Sequence, residues 1–124
     1  MNKDQFYKKI DSFNDELINL RRHIHAHPEL SGLENQTAIL ISGFLKNIGW
    51  NVRESIGRTG VVADFGPLNK GIIGLRVDMD ALPIFEETTL SFSSKVDGVM
   101  HACGHDLHIS IGVRGSKNCQ KFKT

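Results

Sequence analysis

The chain has 124 residues, room for one small domain, and at 40% apolar and 23% charged it reads as an ordinary globular sequence. Fifteen basic against fourteen acidic side chains leave a net charge of +1 and no basic stripe, which argues against nucleic acid as a partner. Lys3 and Asp4 stand where a secretory leader would need apolar residues, and no apolar run approaches the roughly 20 residues that cross a bilayer, so no membrane partner is expected and the cytoplasm is the expected location.

Phe6, Ile10, Phe13, Leu17, Leu20 and Ile24 step by four and three, which makes one stripe of an amphipathic helix. Pro28 predicts its end at His27, because the residue before a proline disfavours the α conformation. Ser31 and Glu34 have the spacing of a capping box, in which each side chain satisfies the other's backbone donor. A second helix should follow, with Ala38, Ile41, Phe44, Leu45 and Ile48 as its apolar face and Gly49 as its left-handed terminator. The period then changes to two. Val52, Glu54 and Ile56 predict a half-buried strand, residues 57–60 a turn, and residues 61–65 a second strand. Residues 66–71 are rich in turn formers and predict a hairpin connection to a third strand over 72–77, apolar enough to be covered on both faces. Residues 83–100 read as irregular, with short extended pieces near Leu90 and Phe92. A third helix is expected from about Asp106, its pattern failing after Val113. Helices, a hairpin and a buried strand together predict an α/β layered domain.

The densest chemistry lies in residues 101–108, where His101, Cys103, His105, Asp106 and His108 can all ligate a transition metal. Gly104 lets the backbone bend so that Cys103 and His105 can converge on one cation, and Asp106 at a helix start suits the positive end of the dipole. Five such side chains in eight positions favour a metal site over scattered loop polarity. Asp78 and Asp80 form a second group at the carboxyl end of the expected buried strand, where ligands bind in open α/β sheets. Ligation, acid–base work and plain capping of backbone amides are evenly matched there. His23, His25 and His27 alternate, but on a helix successive members point about 200° apart, so they are expected to be surface or helix-end histidines, with His27, Pro28 and Glu29 shaping the turn. Cys119, the other cysteine, has no such company. Two cysteines are too few for a disulfide framework, and the one among histidines suggests a ligand thiolate in a reducing compartment.

Together these segments resemble the metal-dependent aminoacylase and carboxypeptidase superfamily, in particular its amidohydrolase branch of hippurate hydrolases, N-acetyldiaminopimelate deacetylases and auxin-conjugate hydrolases. The resemblance rests on residues 23–31 with Glu34, on Arg58, Thr59 and Gly60, on residues 76–84, and on residues 100–108, in the family's order and spacing. It implies the N-terminal part of a zinc-exopeptidase-like α/β/α catalytic domain over residues 1–112, followed by a divergent basic tail over 113–124. It implies an enzyme that binds two divalent ions (Zn, Mn, Co or Ni) and hydrolyses an N-acyl amino acid to release the free amino acid. On this resemblance Cys103 and His105 are metal ligands and Asp78 is the active-site aspartate, with Asp80 as the alternative alignment for that role. Arg76 stands where sister branches have a ligand histidine, and Asp80, Asp106 and His108 orient the ligands from behind.

The family also implies an acidic pair whose glutamate shuttles the proton, later ligands comprising a glutamate and two histidines, and an inserted domain through which intact members dimerise. No acidic pair follows His108 in these 124 residues, and the later ligands and the inserted domain are not among them. The abrupt change of pattern after residue 112 leads to the expectation of a frameshift or premature stop in a once longer gene, and the missing groups to that of a chain inactive alone. The alternatives are a non-catalytic metal-binding or interaction module, and a half-enzyme completed by a second chain.

Overall fold

The computed structural model describes residues 3–11, 14–67, 69 and 71–119. The first apolar stripe is helical on both sides of residues 12–13, as α1 (Lys3–Asp11) and α2 (Asn14–Ala26). Phe13 and the side chains of Phe6 and Ile10 lie outside the described residues, so the stripe is seen from Leu17 onward. α2 stops at Ala26, just before His27 and Pro28, and Ile24 at its end is almost wholly buried.

The third helix, α3 (Asn35–Asn47), begins without the expected capping box. Glu34 is its N-cap and makes no side-chain cap bond. Glu29 does the capping instead: its two carboxylate oxygens accept the backbone N–H groups of Gln36 at 3.0 Å and Thr37 at 2.8 Å. The carboxylate reaches the helix start because the intervening chain turns back on itself at Gly32, where φ is +78°. Gly49 ends α3 as expected, at φ +77°.

An antiparallel hairpin follows, β1 (Asn51–Ile56) and β2 (Gly60–Asp64), with Val52 opposite Ala63 and a bulge between Arg53 and Ile56. These two strands form the whole sheet among the described residues. The third strand expected over 72–77 is not one. That stretch has no regular secondary structure and no strand beside it among the described residues, and Ile72 and Ile73 are 79% and 97% exposed. Its sequence does read as a doubly covered strand, but a strand exists only where a neighbour completes its hydrogen bonds, and none is present among the described residues. Leu90 and Phe92 likewise form no strand; Ser91 and Phe92 lie in turns.

The last helix, α4 (His105–Cys119), does not fail after Val113. At Gly112 its face packs too closely for a side chain. A Cβ on Gly112 would lie 2.5 Å from Val77 Cγ2. Ser116, one turn on, is buried on the same helix with its hydroxyl donating to the Gly112 carbonyl. Gly112 thus marks a close approach, and the helix continues through the polar residues beyond it to Cys119.

α2, α3 and α4 close around Ile24, Ile41, Leu45, Ile109 and Val113, with Val52, Val61 and Ala63 of the hairpin and Val77 and Met79 packed against them. Complete burial of a side chain such as Ile24 or Ile109 contributes about 1.5–3 kcal/mol. The fold is α/β, as expected, and this core fixes the N-terminus of α4, where the candidate site lies.

Candidate functional site

Gly104, at φ +83°, turns the chain into α4 and accepts the backbone N–H groups of Leu107 and His108 at 3.1 Å each. The bend expected at this glycine is therefore present. Cys103 precedes it as a free, exposed thiol, and His105 follows it as the first residue of the helix.

His105 is held from the strand-like segment before the loop. Its Nδ1 lies 3.0 Å from Asp80 Oδ1 and 2.9 Å from the Asp80 carbonyl oxygen. Two acceptors at one nitrogen place the ring hydrogen on Nδ1 and leave the Nε2 lone pair uncommitted. His108, one turn on, has its ring 6.3 Å from that of His105 and faces the Asp78 backbone N–H with Nδ1 at 3.4 Å. The Asp78 carboxylate points outward and accepts from the exposed Arg76 guanidinium at 2.9 Å.

Asp106 turns the other way. It is wholly buried, and its Oδ2 accepts from Arg21 Nε at 2.7 Å and from His25 Nδ1 at 2.8 Å. The three alternating histidines were expected at the surface or at a helix end, and His23 and His25 do lie in the last turn of α2, but not all three are at the surface. His23 and His27 are exposed, but His25 is 3% exposed and lies between Asp106 and Glu86. Opposite directions along the helix were rightly read. What the spacing did not carry is that one of the two directions faces the core, although Ile24 and Ala26 flanking His25 gave a hint of it.

His101 is also buried, and neither of its ring nitrogens has a hydrogen-bond partner among the described residues. Burial pushes its imidazole below the ordinary value of 6.5, against the opposing pull of Asp106, so it is neutral at pH 7. Glu34 and Thr59, two further residues of the motif stretches, meet directly: the Thr59 hydroxyl donates to Glu34 Oε2 at 2.5 Å. Burial raises the Glu34 carboxyl, but the bonds from Thr59 and from nearby backbone amides outweigh it and hold the group below 4.5.

Among the described residues, no three His, Cys, Asp or Glu side chains gather closely enough to hold a metal ion. The structure thus brings Asp80 to His105 and Asp78 to His108, and sends Asp106 away from them. Two shallow hollows lie elsewhere, one against Leu17, Leu20, Phe44 and Val113, the other against His23, His27 and Leu40. The donor set that remains open is a thiol and an imidazole nitrogen, both of which suit zinc and its first-row neighbours.

The model of peptidase family M20/M25/M40 matches residues 74–123. A probable hydrolase of Synechocystis is 52% identical over 101 residues, covering 78% of this chain and 25% of that protein. The hippurate hydrolase of Campylobacter jejuni is 52% identical over 97 residues, covering 75% of this chain and 24% of its own length. The crystal structure of a dinuclear metal binding M20 peptidase from Bacillus subtilis superposes with a TM-score of 0.83 at 41% identity, over 90% of this chain and 32% of that one. The chain therefore spans about a quarter to a third of the length of these relatives. The chain is thus similar to peptidase family M20/M25/M40, by the family model over residues 74–123 and by relatives and a solved structure over most of its length.

Proposed function

We propose that the chain carries the leading part of the active site of an amidohydrolase acting on N-acyl amino acids, with Cys103 and His105 as two ligands of a divalent metal centre. The observation that carries this reading is the His105–Asp80 contact, which fixes the ring as its Nδ1–H tautomer and frees Nε2 for a cation. A divalent ion at such a centre lowers the pKa of a bound water and polarises the scissile carbonyl. The chain's own residues prepare that site. Gly104 sets the bend between the two donors, Asp80 orients His105, and His108 meets the Asp78 backbone, leaving the Asp78 carboxylate toward solvent as the active-site aspartate. Asp106 holds the helix start from within. The hippurate hydrolase relative supports an N-acyl amino acid as the substrate class, and the dinuclear metal binding neighbour supports a pair of ions.

On this reading the 124 residues alone are catalytically silent. No acidic residue follows His108 to shuttle a proton, and no set of three ligands forms among the described residues. A second reading, a half-enzyme completed by another chain, is favoured by the bare apolar run at Ile72, Ile73 and Leu75, which offers an unpaired edge.

The test has two arms. Purified chain with Zn²⁺, Mn²⁺ or Co²⁺ should leave hippurate and N-acetyl amino acids intact; turnover would contradict the silence of the isolated chain. Residues 17–112, exchanged for the matching stretch of a full-length hippurate hydrolase, should give an active chimera that Cys103→Ser inactivates. A folded chimera indifferent to that substitution would contradict the reading.

A further inference from the structure

Behind the metal-binding turn lies a run of buried polar contacts that the proposed chemistry does not use. Asp106, next in the chain to His105, accepts from His25 Nδ1 at 2.8 Å. The other nitrogen of His25, Nε2, lies 3.2 Å from Glu86 Oε1. Glu86 in turn gathers its own segment: Oε2 accepts the Ser94 backbone N–H at 2.5 Å, and Oε1 accepts the Thr88 hydroxyl. The side chains of His25 and Glu86 are each only 3% exposed.

Each ring nitrogen of His25 faces a carboxylate oxygen, so both bonds are made together only when both nitrogens carry hydrogen. The ring is then fixed from two ends. Phe92 adds an edge-on contact to the same imidazole at 5.6 Å, beneath the Arg21 and Arg22 guanidinium groups at 5.2 and 5.0 Å. The Lys95 backbone N–H also donates to the Ala26 carbonyl at 2.9 Å. An otherwise irregular stretch, 86–95, is thus fastened to the end of α2, and through one imidazole to the start of α4. In buried surroundings a broken link leaves a carboxylate without its donor, which costs more than the same loss at the surface.

We infer that His25 is a positioning residue that couples the 86–94 segment to the turn carrying Cys103 and His105, so that order in either one supports order in the other. The metal-linked half of this inference rests on the function proposed above; the mechanical half does not. Coupling of this kind is reciprocal, so a cation that stiffens the turn also stiffens the segment.

Amide hydrogen exchange on the full chain tests it. In the metal-free protein Glu86→Ala should raise exchange about tenfold in 86–94 and also in 101–106, with α3 and the β1–β2 hairpin unchanged. Glu86→Gln keeps an oxygen for the His25 Nε2–H and should restore protection at 101–106. A rise confined to 86–94 overturns the inference. Should Glu86→Ala loosen the whole molecule, the wild-type ring decides: nitrogen-correlated spectra should show two slowly exchanging hydrogens on His25, and rapid exchange of either overturns the coupling. Adding Co²⁺ to the wild type should slow exchange in 86–94, and this protection should vanish in Glu86→Ala. Absence of any thiolate–cobalt absorption in the wild type would instead count against Cys103 and His105 as ligands, and the coupling would still be judged on the metal-free exchange.

Discussion

The Nδ1 atom of His105 lies 3.0 Å from the carboxylate of Asp80 and 2.9 Å from its carbonyl oxygen, joining residues 25 apart in the chain. One residue thereby fixes both the tautomer and the ring plane of a histidine at the mouth of a helix. Loss of such a supporting group typically weakens metal affinity about 10–100-fold. Asp80→Ala should therefore weaken Co²⁺ or Zn²⁺ binding by about that factor, and Asp80→Asn by less because an acceptor oxygen remains. Isothermal titration of the folded variants measures it, and equal affinity in wild type and Asp80→Ala would refute the orienting role.

Gly112 has a packing reason that a stability measurement can read. An alanine Cβ there would meet Val77 Cγ2 at 2.5 Å, and overpacking of this kind costs about 1–3 kcal/mol. Gly112→Ala should lower the melting temperature, and Val77→Ala introduced with it should cost less than the two changes summed. In an open helix the same substitution stabilises by about 1 kcal/mol, so a raised melting temperature would mean that α4 does not approach Val77.

The Glu34–Thr59 bond predicts an acid-labile fold. In the unfolded chain Glu34 takes up its proton near 4.5, whereas in the folded protein its carboxyl is held lower. Its stabilisation is therefore complete above 4.5 and is lost as pH falls below that value toward the folded one. Glu86, whose burial is outweighed by bonds from Thr88, Ser94 and His25, adds to the same acid limb. Thermal melts from about pH 7 to about pH 3 should show stability falling at the acid end, and Glu34→Gln should flatten that fall. A slope unchanged by the substitution would contradict the assignment.

The bare run at residues 72–75 predicts self-association. Ile73, at 97% exposure, offers an unpaired apolar edge of the kind that natural sheets protect with charge. Ile73→Lys should raise the concentration at which the chain stays monodisperse in light scattering, without lowering its melting temperature. Equal aggregation in both proteins would place the liability elsewhere.

How much of this could be read from the residues alone follows from what each element depends on. α2, α3 and the hairpin were legible because their periods report local burial, and Gly49 because only its left-handed backbone ends α3. The bend at Gly104 between Cys103 and His105 was legible for the same reason. The strand at 72–77 was misread because pattern shows what a segment would do beside a partner, not whether the partner is there. The cap by Glu29 and the burial of His25 were missed because both depend on contacts across the fold: Glu29 displaces Ser31 from a local motif, and His25 is bonded to Asp106, 81 residues away. The apolar pattern of α4 fails after Val113, yet the helix runs on to Cys119, and the part Gly112 plays in it shows only once its close neighbour Val77 is known.

The most direct test is cobalt binding to the folded chain, read by absorption, in the wild type and in Cys103→Ser and His105→Ala. A shared centre predicts a thiolate–cobalt charge-transfer band that Cys103→Ser abolishes, and an affinity that His105→Ala lowers at least about tenfold. Identical spectra and affinities in all three folded proteins would contradict the claim that these two side chains hold one cation.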